Sequence, residues 1–166
     1  MKNSRNDKLL DFNYGLWQLL SRTRHLVFKA RQKELNRYGI SANYAAFLSA
    51  IDRLGKRATP TVLSQEFFME RHSASELLVK MEKHGLIKRV RDLERKNLIR
   101  AELTEKGYET YRNAIKRKSI NNVISILTQE EKNQLWLILS KMRERALKQL
   151  KMPHINIYPP SDPEEL

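Results

Sequence analysis

The sequence predicts a mainly α-helical fold carrying one small β-hairpin, and three observations lead there. Apolar residues recur at helical spacing over most of the chain. Two helices too short to be stable alone stand one after the other between Thr59 and Gly85. Directly behind them two strand-like runs flank a charged tip, and helical spacing resumes at Thr104.

From the N-terminus, Leu9, Leu16, Trp17, Leu20, Val27 and Ala30 mark one long amphipathic helix that runs to the turn at Tyr38-Gly39. Ser41 caps a second helix, with Tyr44, Phe47, Leu48, Ile51 and Leu54 on one face and Gly55 as its stop. Thr59-Pro60 opens a short third helix, a capping hydroxyl followed by a proline where the missing N–H costs nothing. A fourth helix starts anywhere from Arg71 to Ala74. Glu70 is a poor cap, whereas Ser73 and Glu76 have capping-box spacing. Leu77, Leu78 and Met81 face inward and Gly85 ends it. Leu86 to Val90 and Leu98 to Leu103 form the hairpin, with Asp92 to Asn97 as its tip. Thr104 begins another long helix through Tyr108, Tyr111, Ile115, Val123 and Ile126. A second capping box, Thr128 with Glu131, opens the last helix, which carries Leu135, Trp136, Leu139, Met142, Ala146 and Leu150. From Pro153 on, a proline-rich tail made acidic by Asp162, Glu164 and Glu165 has no periodicity.

Composition narrows the function. A chain of 166 residues with 40% hydrophobic content builds one sizeable core rather than two. A net charge of +13 attracts polyanions. Between Arg71 and Lys118 lie 14 Lys and Arg against 7 Asp and Glu, so over half of that excess sits on the fourth helix, the hairpin and the start of the next helix. Without cysteine the chain has no disulfide, thiolate ligand or thiol sensor, and a cytoplasmic setting is expected. The opening residues lack the apolar core of a signal peptide, and no run approaches the length of a membrane span.

Two short helices with a basic hairpin behind them describe a winged helix-turn-helix, which sets one helix into a major groove and the hairpin beside it. Duplex DNA is therefore the expected partner. The residues expected to touch it are Thr59 and Thr61 on the third helix, then Arg71, His72, Ser73, Ser75, Glu76 and Lys80 on the fourth. Hydroxyls reach phosphates and base edges, and a carboxylate can accept from cytosine or merely close a cap. Arg89 and Arg91 on the hairpin stem, and Arg95 and Lys96 at its tip, complete the set, with Lys88 and Arg100 adding to the field.

The run from Thr59 through MEKHGLI at Met81 to Ile87, and on into LTEKG at Leu103 to Gly107, resembles the multiple-antibiotic-resistance regulator (MarR) family of bacterial transcription factors. Looser likeness covers Leu9 to Leu150. The resemblance implies a single domain over residues 1–152, with a winged core at about 41–104 and dimerising helices at about 8–36 and 105–150. It implies a homodimer reading a palindromic operator and repressing until a small aromatic or anionic effector releases it. It also implies an effector pocket between the dimer helices and the reading module, for which Trp17, Arg24, His25, Tyr44 and Phe47 are in position. The chain departs from the family at the wing. Where the family tends to carry Asp-Pro-x-Asp-Arg-Arg, this sequence has Asp92-Leu93-Glu94-Arg95-Lys96-Asn97, so the minor-groove arginine falls to Arg95, with Lys96 second. The helix–turn–helix turn, Phe67-Phe68-Met69, lacks the glycine often found there.

His25, His72, His84 and His154 are scattered without ligand spacing, so neither a metal site nor a cofactor is expected. No G-x-S-x-G, P-loop or dinucleotide fingerprint is present, and no enzyme is expected. The alternative reading is a winged module that binds RNA or a protein partner through its wing or an apolar face.

Overall fold

The computed structural model describes residues 4–91 and 99–152. Its elements are α1 (Ser4–Leu35), α2 (Ala42–Leu54), α3 (Pro60–Glu66), α4 (Arg71–Lys83), β1 (Ile87–Arg91), β2 (Ile99–Leu103), α5 (Glu105–Ala114), α6 (Lys118–Ile124) and α7 (Gln129–Gln149). The expected mainly helical architecture with a hairpin is what forms.

The local signals act where the sequence puts them. Gly39, at φ 69°, turns the chain after a single 3-10 turn that prolongs α1. The hydroxyls of Ser41, Thr59 and Thr104 accept from the backbone N–H of Tyr44, Val62 and Gly107 and so start α2, α3 and α5. At α7 both halves of the capping box close: Glu131 N–H donates to Thr128 Oγ1 and Thr128 N–H to Glu131 Oε2.

The core is built by α2, α3, α4 and the hairpin, with Phe47, Leu48, Ile51, Leu63, Leu78, Met81, Leu86 and Ile87 all nearly or fully buried. Among the described side chains, α1 gives that core its last residue, Leu35, and α7 gives it none. Phe12, Leu16, Trp17, Leu19, Leu20 and Leu26 on α1, and Leu135, Leu137, Ile138, Leu139 and Met142 on α7, are exposed. These side chains, read as core or interface in the sequence, stay outside the buried core of the described residues.

β1 and β2 pair antiparallel from Ile87↔Leu103 to Arg91↔Ile99. The segment before α3 adds a rung that the sequence does not announce, since Ala101 N–H donates to Ala58 O at 2.8 Å. The LTEKG run locks α5 against the end of α4. Thr104 Oγ1 donates to Gly85 O, Lys106 Nζ donates to His84 O, and Gly107 lets the first turn of α5 lie on the Leu86 backbone.

Two expectations change. The helix expected from Thr104 to Ile126 is two, because Arg117 takes a left-handed φ of 44° between α5 and α6. No side chain of its own caps α6. Glu34, on α1, does so across the fold, accepting from the N–H groups of Lys118 and Ser119 and from the Ser119 hydroxyl. The capping box at Ser73 and Glu76 does not form either, since α4 already starts at Arg71 after an extended Glu70 and Ser73 lies inside its first turn. In the glycine-free turn, Phe68 itself takes the left-handed position at φ 52°.

The end of α1 is fastened at two places. Gln32 Oε1 accepts from Ala42 N–H at 2.8 Å, which ties α1 to the start of α2. Arg31 bridges Glu34 and the Ala114 carbonyl, which ties α1 to the α5–α6 joint. Burial raises the pKa of Glu34, but the hydrogen bonds from Ser119, Arg31 and Lys118 outweigh it and hold the group at about 2 against an ordinary 4.5. A depressed pKa contributes stability that is present above 4.5 and lost as pH falls toward 2. Glu34→Gln is therefore expected to cost about 1–2 kcal/mol at neutral pH, as an unmatched buried hydrogen-bonded charge does. Denaturant titrations should show the gap between the two proteins closing as pH falls from 4.5 to 2. A gap that stays constant over that range would remove Glu34 from the joint.

Candidate nucleic-acid interface

Helix α4 has two sides set by its period. Ala74, Leu78 and Met81 are buried, and at about 3.6 residues per turn His72, Glu76, Val79 and Lys83 fall opposite them. Arg71, His72, Glu76, Lys80 and Lys83 are exposed, while Ser73, Ser75 and Val79 are half-buried at the margins. The two serines are thus flank residues rather than the centre of the face. Ser75 Oγ already donates to Arg71 O at 3.0 Å. Lys83, not singled out in the sequence, shares the outward side. Because Glu70 makes no side-chain cap, the first N–H groups of α4 keep no side-chain acceptor, and the positive end of the helix lies beside Arg71 and His72.

On α3, Thr59 is buried at 7% exposure with its hydroxyl occupied as the cap, so it orients the helix and is not placed to meet a ligand. Thr61 is half-buried in the first turn of α3.

The cations of the hairpin stem are mostly spoken for. Lys88 and Arg100 both pair with Glu102, at 3.1 Å each. Arg89 pairs with Glu82 of α4 at 2.7 Å. Arg91 is exposed and pairs with no other described residue. Arg95 and Lys96 lie outside the described residues. The sequence put Arg89 and Arg91 among the DNA contacts and let Lys88 and Arg100 add to the field, and in the fold three of these four cations have a carboxylate partner. Alternating charges along a strand put neighbours on one face, and those faces bring Glu102 and Glu82 within reach.

A cavity of about 340 Å³ opens between α1, α2, the end of α3 and the start of α6, within the size range of small-molecule sites. Phe28, Arg31, Arg53, Glu66, Phe67 and Arg117 give it its chemistry. Arg53 and Glu66 form an ion pair at its edge. Phe67, in the helix–turn–helix turn, stacks on Phe47 with ring centres 4.6 Å apart. None of the five residues expected around a pocket borders this cavity. Trp17 stacks on Tyr14, Arg24 sits over the Phe28 ring, His25 is exposed, Tyr44 meets His84 edge-on, and Phe47 is buried behind Phe67. Nothing in the sequence pointed to the actual lining, whose residues come from segments up to about ninety positions apart. Among the described residues no group of three His, Asp or Glu is arranged to hold a metal, and no helix is long and apolar enough to cross a membrane.

Comparison with known proteins places this geometry. A family profile described as the MarR family matches residues 38–96. No curated protein matches the chain. Among solved structures, the organohalide-sensing transcriptional regulator RdhR in its 2,4-dichlorophenol-bound form is 30% identical, with 82% of each chain covered and a TM-score of 0.73. A MarR variant from E. coli complexed with operator DNA is 18% identical, covering 81% of this chain and 97% of that one with a TM-score of 0.72. AbsC, a MarR family transcriptional regulator from Streptomyces coelicolor, is 21% identical, covering 82% and 95% with a TM-score of 0.75. For the last two the likeness is one of fold.

Proposed function

Because the chain belongs to the MarR family of transcription regulators, we propose that it reads a palindromic duplex operator as a homodimer. In this reading it represses nearby genes until a small aromatic or anionic effector releases it. The observation that carries the DNA reading is the outward side of α4, where His72, Glu76, Lys80 and Lys83 stand exposed, with Arg71 exposed at the helix start, on a helix held from behind by the core. Side chains on such a face reach base edges and phosphates, while the uncapped helix start suits a phosphate. His72, Glu76 and Lys80 are the proposed central contacts, with Arg71, Ser73, Ser75 and Thr61 at the margins and Arg91, Arg95 and Lys96 on the wing.

The dimer reading rests on the many exposed apolar residues along α1 and α7, surface of the kind that seeks a second copy. The effector reading rests on the cavity. Phe28 and Phe67 suit a flat ring, Arg117 brings a positive charge beside the paired Arg31 and Arg53, and Glu66 and Phe67 put the cavity wall directly at the helix–turn–helix turn. The test has two arms. Sedimentation at micromolar concentration is expected to give a species of twice 19.7 kDa, and selection from a random duplex library is expected to enrich an inverted repeat. A monomer of the chain mass would remove the two-half-site scheme, and a library left unenriched would remove DNA reading itself.

A further inference from the structure

We propose that Glu82 and Arg89 form the joint that sets the hairpin against α4, so that Arg89 is a positioning residue for DNA reading and not a phosphate contact. The inference rests on the DNA-binding reading above. One carboxylate holds the strand at two points: Arg89 N–H donates to Glu82 Oε1 at 2.9 Å, and Arg89 Nε–H donates to Oε2 at 2.7 Å. A single hydrogen bond leaves a strand free to roll about its axis. A backbone and a side-chain bond to the same group fix both its position and its roll.

The same rung is anchored on its other side. Arg89 faces Ala101 in the register, Ala101 is buried, and its N–H donates to Ala58 O just before α3. The Arg89–Ala101 rung is thus tied to α4 on one side and to the segment just before α3 on the other. Glu102 neutralises Lys88 and Arg100 one rung to either side, which leaves Arg91 as the exposed, unpaired stem cation among the described residues.

Charge makes the role of Glu82 distinct. A carboxylate beside a DNA-facing helix repels phosphates, so its presence costs affinity unless it does something else. Hydrogen bonds from the Arg89 backbone and side chain hold its carboxyl below the usual range, so it stays ionised at neutral pH. On electrostatics alone, removing it should strengthen binding. On the positioning role, removing it should leave the wing misaligned and weaken specific binding.

The probe is the duplex that the wild-type chain enriches from a random library, with a random-sequence duplex of equal length as background. Glu82→Gln keeps an acceptor for the Arg89 N–H and loses the guanidinium pairing. It is expected to bind the random duplex at least as well as wild type while losing about tenfold on the selected one, the size of one lost readout. The loss should concentrate at the positions flanking each half-site. Arg89→Ala is expected to show the same selective loss with an unchanged slope of affinity against salt. Thermal melts check that both variants fold, and Glu82→Gln, which keeps the backbone bond, is the safer of the two. A salt slope reduced by about 0.9 in Arg89→Ala, with selectivity intact in Glu82→Gln, would make Arg89 a phosphate contact and overturn the inference. A wild-type chain that enriches no duplex would instead overturn the DNA reading on which the inference stands.

Discussion

Gly107→Ala is expected to destabilise the protein by about 3 kcal/mol or more, at the upper end of what an overpacked site costs. A Cβ at this position would sit 2.0 Å from the Leu86 carbonyl oxygen and 3.0 Å from its carbon, and both are backbone atoms that cannot swing aside. Relief requires α5 to back away from the chain between α4 and β1. That would break the Thr104 bond to Gly85 and the Lys106 bond to His84, which cross the same seam. The end of α4 and the start of the hairpin are held there, so the variant should lose folding and DNA reading together. Chemical denaturation monitored by far-ultraviolet circular dichroism measures the first and the selected duplex the second. A variant within about 1 kcal/mol of wild type would show that the seam opens freely.

Inserting five base pairs between the two half-sites of the selected duplex is expected to cost about a hundredfold or more in affinity, most of the margin over non-specific DNA. Two-fold symmetry sets half-sites about one helical turn apart, and five base pairs rotate one of them by about half a turn. The structure supplies the stiffness this needs. Gln32 and the Arg31–Glu34 pair fasten the proposed dimer arm α1 to α2 and to the α5–α6 joint, so that a module cannot swivel on its stalk to track a rotated site. What remains should be the salt-sensitive background, with a log–log slope of about −0.9 for each neutralised phosphate. Equal affinity for both spacings at physiological salt would mean that the modules are not rigidly paired or that α4 is not the reader.

The sequence by itself determined the fold class and nearly every helix start. Ser41, Thr59, Thr104 and Thr128 each cap a backbone N–H within three residues, and Gly39, Gly55 and Gly85 take the positive φ that ends a segment. Such signals act through the chain itself, over a turn or less, and can be read without knowing what lies opposite. That α4 has a buried and an outward side was legible for the same reason, since period alone divides them, but the half-burial of Ser73 and Ser75 was not.

Tertiary structure decided the rest. Arg117 breaks the helix expected to run past Ala114, and Glu34, more than eighty positions before the N–H groups it accepts from, caps α6 from across the fold. Arg89 reads as one more basic residue until the end of α4 brings Glu82 beneath it, and Lys88 and Arg100 read the same way until pairing sets Glu102 beside both. The cavity beside Phe67 belongs to no local pattern, because α1, α2, α3 and α6 each contribute only part of its wall. A charge in a sequence has a sign but no neighbour. Whether it meets solvent, a phosphate or a carboxylate depends on which distant segments the core packs against it, and only the folded chain specifies that.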